Sequence, residues 1–233
     1  MPRRPRPAPR RGPGGPPPTP VTALRPRPER QAAYGHGDGL GTLRGTVAHR
    51  AIELAFAGAD RADVAELIRE ESGGLLDEEL VRALAGEIEE MLARFERSQL
   101  AATLRDPETA CYFELPFAWN WDGVPVHGAI DLVYRDARGW HVVDFKTDEL
   151  RGRTLEEASA PYLVQLALYG GAIEHATGER PGCALLFLRS GELHAPGEAA
   201  LGEALAAARE LVDAGGALEP EVGESREMEE SPA

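Results

Sequence analysis

Two short apolar segments joined by a four-residue turn constrain this chain more than any other stretch. Each carries an aspartate where a sheet core expects a hydrophobe. Ala129-Ile130-Asp131-Leu132-Val133 and Val142-Val143-Asp144-Phe145-Lys146 flank the turn Asp136-Ala137-Arg138-Gly139, whose Asp and Gly are turn formers. A hairpin closed there pairs Arg135 with Trp140, Leu132 with Val143 and Asp131 with Asp144. Directly opposed side chains have Cβ atoms about 4.5–5.5 Å apart, and like charges at that distance repel. Strand alternation predicts one face with Asp131, Asp144 and Lys146, and another with Ile130, Leu132, Tyr134, Val143 and Phe145. A hard divalent cation removes the repulsion between two such carboxylates, because it prefers oxygen ligands. The bland alternative is that both face water with Lys146 as an ion-pair partner. Lys146 is the only lysine, and the other basic side chains, histidines aside, are arginine. A lysine offers a compact, steerable point charge where arginine offers a planar fork.

The rest of the pattern places this hairpin in an α/β domain. Apolar spacing predicts helices from about Leu40 to Phe56, from a cap at Asp60 through Ile68, and from Asp77 to Gln99. The period then shortens to alternation. Strands are expected at Cys111–Trp119, Val124–Tyr134 and Trp140–Lys146, the first two separated by Asn120-Trp121-Asp122-Gly123. A helix from Pro161 to Ala176, strands at Cys183–Leu188 and Glu192–Ala195, and a helix from Glu198 to Ala214 complete the order. Helices, meander, helix, strand and helix make one domain with a mixed central sheet flanked by helices, plus an N-terminal helical region.

The ends differ from this core. Residues 1–30 hold 11 of the 19 prolines and eight arginines against Glu29 alone. Such a segment has little to bury and is expected to be a disordered arm or linker. The ordered domain is expected over 31–218, followed by an acidic tail at 219–233. The net charge is −14, so most of the body repels nucleic acid. A DNA-handling role therefore needs the basic arm or a partner that delivers substrate. Cys111 and Cys183 lie outside any C-x-x-C pattern, which excludes a zinc ribbon, an iron–sulfur cluster and a disulfide framework. No apolar run approaches the roughly 18 residues of a membrane span, and the Arg-rich start lacks the apolar stretch of a signal peptide. A cytoplasmic location is expected.

A third metal ligand is available on the first helix. His49 and Glu53 lie four apart and share a helix face. Glu53 is either a solvated side chain or an acceptor that orients the imidazole.

With these parts in place, the sequence resembles the PD-(D/E)XK nuclease superfamily, most closely the C-terminal nuclease domain of RecB- and AddA-type helicase–nucleases. Five pieces carry the resemblance, in order. They are Gly45-Thr46-x-x-His49, Glu114-x-Pro116-Phe117, Gly128-x-Ile130-Asp131-Leu132, Val143-Asp144-Phe145-Lys146-Thr147 and Tyr162-x-x-Gln165-x-x-x-Tyr169. The resemblance implies a restriction-endonuclease-like core and metal-dependent hydrolysis of DNA phosphodiesters. Under it, His49, Asp131 and Asp144 are the side-chain metal ligands, the Phe145 carbonyl is a further ligand, and Lys146 is the catalytic lysine. Gln165 and Tyr169 match a motif that supports the site and contacts DNA. Glu114 belongs to the pattern without a firm role. The implied cofactor is Mg²⁺ or Mn²⁺, and the implied products carry 5′-phosphate ends. DNA is the expected substrate, and a helicase subunit or fused helicase domain the expected partner. The glycine pattern of a P-loop is missing, so no ATP site is expected in this chain. Two rival readings remain at this level: a catalytically silent nuclease fold serving as DNA-binding or assembly scaffold, and a metal-dependent hydrolase of other phosphoesters.

Overall fold

The computed structural model describes Thr19–Pro20, residues 38–57 and residues 63–213. Apart from Thr19–Pro20, the expected arm lies outside the described residues, as do the acidic tail and the expected cap at Asp60. Thr19–Pro20 forms a two-residue strand, β1, parallel to Val126–His127.

Among the described residues, four helices precede the main sheet: α1 (Asp38–Phe56), α2 (Val64–Ser72), α3 (Glu78–Glu96) and α4 (Gln99–Leu104). Asp63, not Asp60, caps α2, its carboxylate accepting from the Glu66 N–H at 3.1 Å. The helix expected from Asp77 to Gln99 runs to Glu96, and a second, short helix opens at Gln99 where that expectation ends. Asp77 caps α3, and Ser98 adopts an extended conformation and accepts from the Ala101 N–H, opening α4. A serine whose hydroxyl satisfies a free helical N–H competes with continuation of the preceding helix.

The meander follows as β2 (Ala110–Trp121), β3 (Val124–Asp136) and β4 (Gly139–Lys146). Then come α5 (Leu155–Ser159), a 3₁₀ turn at Ala160–Tyr162, α6 (Leu163–Thr177), β5 (Gly182–Phe187), β6 (Glu192–His194) and α7 (Glu198–Asp213). The main sheet runs β2-β3-β4-β5-β6, antiparallel except for the parallel pair β4–β5. This is the expected mixed sheet. One face packs Leu132, Tyr134, Val143, Phe145, Leu186 and Leu188 against α1–α4. The other packs Val133, Val142, Leu185 and Phe187 against α6, with α7 outside it. Strand β5 is buried on both faces, as suits a parallel strand between helical layers.

The hairpin register matches the sequence reading from Asp136–Gly139 back to Leu132–Val143, and the pairing stops there. Beyond Val143, β4 pairs only with β5, as far as Lys146–Phe187. Asp131 and Asp144 are therefore not a ladder pair. A second irregularity meets this one. The β2–β3 ladder pairs Phe113 with Leu132 and Leu115 with Ile130, skipping Glu114 opposite Asp131. Glu114 has φ 46°, a left-handed conformation uncommon for a residue with a Cβ. Its neighbours Phe113 and Leu115 enter opposite cores, and so do Leu132 and Ile130. The face expected to carry Ile130 with Leu132 is corrected accordingly. Both strands turn over at one level of the sheet, which pairwise alternation does not anticipate.

Candidate active site

The break between β3 and β4 collects the polar groups. Asp131 Oδ2 accepts from the Phe145 N–H at 2.7 Å, so its carboxylate stands where a β3 carbonyl would have continued the ladder. Helix α1 lies over the gap. Gly45 on α1 approaches Thr147, just past the end of β4, and His49, one turn later, reaches into the gap. His49 Nε2 is 3.2 Å from the Phe145 carbonyl oxygen. Its Nδ1 is 3.4 Å from Asp131 Oδ1 and 3.8 Å from Glu114 Oε1. Both ring nitrogens thus have partners without Glu53, and the role of orienting the imidazole falls to Phe145 and Asp131. The Glu53 charge reaches the site, where it helps raise the Glu114 pKa.

Asp144 and Lys146 lie beside this cluster, and both are buried, at 2% and 5% exposure. Lys146 Nζ is 2.7 Å from Asp144 Oδ2, so the aspartate is held by the lysine and not by the His49 group. The ammonium also donates to Gln165 Oε1 at 3.0 Å, and Gln165 Nε2 donates to the Tyr169 hydroxyl at 2.8 Å. Spacing of four on α6 puts Gln165 and Tyr169 on one face. Tyr169 is 1% exposed and packs edge-on against Phe117 at 5.5 Å. It supports Gln165 and has no surface left for DNA.

The electrostatics follow from burial and crowding. Burial pushes the Asp144 carboxyl up to about 6; Lys146 opposes the shift and the Asp131 charge reinforces it. For Asp131 burial also works upward, but His49, Lys146 and the Phe145 N–H outweigh it and hold the carboxyl below its ordinary value. Burial opposes a charge on His49, yet Asp131, Asp144 and Glu114 raise the imidazole above 6.5. Glu114 is raised by burial and then by Asp131.

His49, Glu114 and Asp131 each offer a ligand atom, all within 4.8 Å of one another. Two carboxylates flank Nδ1, and a single imidazole cannot balance both when they are ionised, so a cation would offset the remaining negative charge. One imidazole nitrogen with carboxylate and carbonyl oxygens fits a hard divalent ion such as Mg²⁺ or Mn²⁺. Glu114 is the surprise of this set. Its position in the motif flagged it, but the left-handed turn that aims its carboxylate at His49 has no sequence pattern. The Tyr162 ring also borders Lys146, and its hydroxyl donates to Asp148; the sequence reading gives neither residue a role. The tyrosine stands in the motif Tyr162-x-x-Gln165-x-x-x-Tyr169, which by itself assigns it no contact.

Comparison with known proteins bears on the family. The sequence profile of the PD-(D/E)XK nuclease superfamily matches residues 27–230. Among curated proteins, an ATP-dependent helicase/nuclease subunit of Thermoanaerobacter sp. (strain X514) is 33% identical over 69 residues, 30% of this chain and 6% of that protein. Its counterpart in Carboxydothermus hydrogenoformans is 42% identical over 55 residues, 24% of this chain and 5% of that protein. The chain thus matches only a small part of the length of these relatives. A crystal structure from Eubacterium rectale, named as a candidate exonuclease, superimposes with a TM-score of 0.51 at 14% identity over 73% of this chain and 65% of that one, a likeness of fold. On the extent of the profile match, the chain belongs to the PD-(D/E)XK nuclease superfamily.

Proposed function

We propose that this protein is a metal-dependent deoxyribonuclease that hydrolyses DNA phosphodiester bonds, as an exonuclease working with a helicase in DNA repair or recombination. The observation that carries the reading is the convergence, at one break in the sheet, of His49, Glu114 and Asp131 with the buried Asp144–Lys146 pair. Asp131, Asp144, His49 and the Phe145 carbonyl would hold the ion, with Glu114 a further carboxylate near His49 Nδ1. A bound Mg²⁺ or Mn²⁺ supplies a Lewis acid and a water of lowered pKa. Asp131 Oδ2 is held by the Phe145 N–H and its Oδ1 lies 3.4 Å from His49 Nδ1, so the carboxylate is oriented before any ligand arrives. Lys146 stabilises the negative charge that develops on phosphorus, an effect strengthened by its dry surroundings. Gln165 fixes the direction of the ammonium, and Tyr169 fixes Gln165. In the net reaction a water oxygen bonds to phosphorus, the bond to the 3′-oxygen breaks, and that oxygen takes up a proton, leaving a 5′-phosphate.

The helicase partner is supported by the relatives, whose names join a helicase to a nuclease, and by the acidic body, which draws in DNA poorly by itself. Labelled single- and double-stranded DNA incubated with Mg²⁺, Mn²⁺ or EDTA tests the reading. Metal-dependent cleavage that disappears in Asp144→Ala and Lys146→Ala is expected. DNA that stays intact yet bound under every metal condition assigns a silent scaffold instead. Cleavage of small phosphoesters but not DNA assigns a different hydrolase.

A further inference from the structure

Lys146 has a third neighbour that the nuclease motifs leave without a task. The Tyr162 ring centroid lies 4.2 Å from Nζ, within cation–π range. The ring is itself tethered, because the Tyr162 hydroxyl donates to Asp148 Oδ2 at 2.9 Å. Tyr162 closes the 3₁₀ turn that leads into α6 and stands three residues before Gln165, so ring and amide approach the ammonium from the same element. Asp148 lies two residues beyond Lys146. The ring is thus fixed to the segment that carries the lysine, by its face at one residue and its hydroxyl at another.

We propose that Tyr162 is a positioning residue that holds the Lys146 ammonium in the site when the Asp144 carboxylate is engaged elsewhere. The inference rests on the nuclease reading, in which Asp144 is a ligand. An ammonium has three N–H directions. Gln165 Oε1 accepts from one, the Asp144 oxygen lies 2.7 Å away as an ion-pair partner, and the Tyr162 ring centroid lies 4.2 Å away. If Asp144 turns to an ion, the lysine loses its strongest partner while keeping a flexible four-carbon stem. Gln165 alone is a neutral acceptor with a single contact. The ring adds an attraction that needs no hydrogen-bond geometry. It also needs no N–H of its own, so the side of the ammonium that Asp144 leaves can face a phosphoryl oxygen. The arrangement explains why the one lysine is not arginine: a compact charge fits between a ring face and two acceptors.

The test compares wild type with Tyr162→Phe, Tyr162→Leu and Asp148→Asn, and with increasingly fluorinated phenylalanine at position 162. Fluorination weakens the negative ring face at nearly constant shape. Because Lys146 is the only lysine, protein labelled with ¹³C/¹⁵N-lysine gives one side-chain signal, readable without metal or activity. We expect the Lys146 Cε–H signal to be moved upfield by the ring current in wild type and Tyr162→Phe, and to relax in Tyr162→Leu. In Mn²⁺, kcat should fall about tenfold in Tyr162→Leu, about threefold or less in Tyr162→Phe and Asp148→Asn, and stepwise with fluorination, at nearly constant KM. A kcat indifferent to fluorination, or equal losses in the Phe and Leu variants, overturns the proposal. So does an unshifted lysine signal in wild type. If Tyr162→Leu fails to fold, the fluorinated series decides. Inactive wild type with a shifted signal sinks the nuclease reading, and the lysine spectrum still decides whether the ring holds the ammonium.

Discussion

Asp144 shows at residue scale how the site is set. Its carboxyl is buried and carries a pKa of about 6 against an ordinary 3.8, so folding favours its neutral form. Stability from this group is complete below its ordinary pKa and is lost as pH rises through about 6. His49, raised above 6.5, adds a loss of the same sign at higher pH. Asp131 has the opposite sign, but its window lies below 3.8. Urea denaturation in EDTA should therefore show stability falling between about pH 4 and pH 7, by on the order of 3 kcal/mol. Asp144→Asn should flatten that profile, and a flat wild-type profile would show that Asp144 titrates normally. Metal requires the deprotonated carboxylate and the neutral imidazole. Mn²⁺ affinity measured by calorimetry should accordingly rise with pH across the same range, with proton release on binding.

At the scale of elements, the site exists because β2 and β3 turn over together. Glu114 accepts a left-handed backbone, which costs on the order of 1 kcal/mol for a non-glycine residue. Glu114→Gly should be about 1 kcal/mol more stable than Glu114→Ala in thermal or urea unfolding, while both lose the same carboxylate. Helix α6 makes a different demand. A Cβ on Gly171 would sit 2.7 Å from the Trp119 ring, so Gly171→Ala should cost about 1–3 kcal/mol through overpacking. These elements also mark what the sequence could and could not say. A four-residue turn rich in Asp and Gly sets the hairpin register, and apolar flanks identify Asp131 and Asp144 as misfits, so the acidic pair was legible. The divergence of β4 toward β5 was not, because it depends on competition between two neighbouring strands. Nor was the turnover at Glu114, since a non-glycine residue carries no mark of positive φ. The break at Ser98 was written as a cap but hidden inside a long helical apolar pattern.

The whole molecule is acidic, with a net charge of −14, and no helix among the described residues is long and apolar enough to cross a membrane. The eight arginines within residues 1–30 are the concentrated exception. Replacing them with serine should weaken DNA binding and reduce the slope of log K against log salt, with the unfolding midpoint unchanged. An unaltered salt slope would remove the arm from substrate capture and leave delivery to the partner.

The central claim is that one ion is shared across the break between β3 and β4. Crystals grown with Mn²⁺ and measured for anomalous scattering address it directly. The account predicts a peak bound by His49, Asp131 and Asp144, at oxygen distances of about 2.0–2.6 Å, with Lys146 released from Asp144. A peak elsewhere, or none while Asp144 stays paired with Lys146, would contradict it.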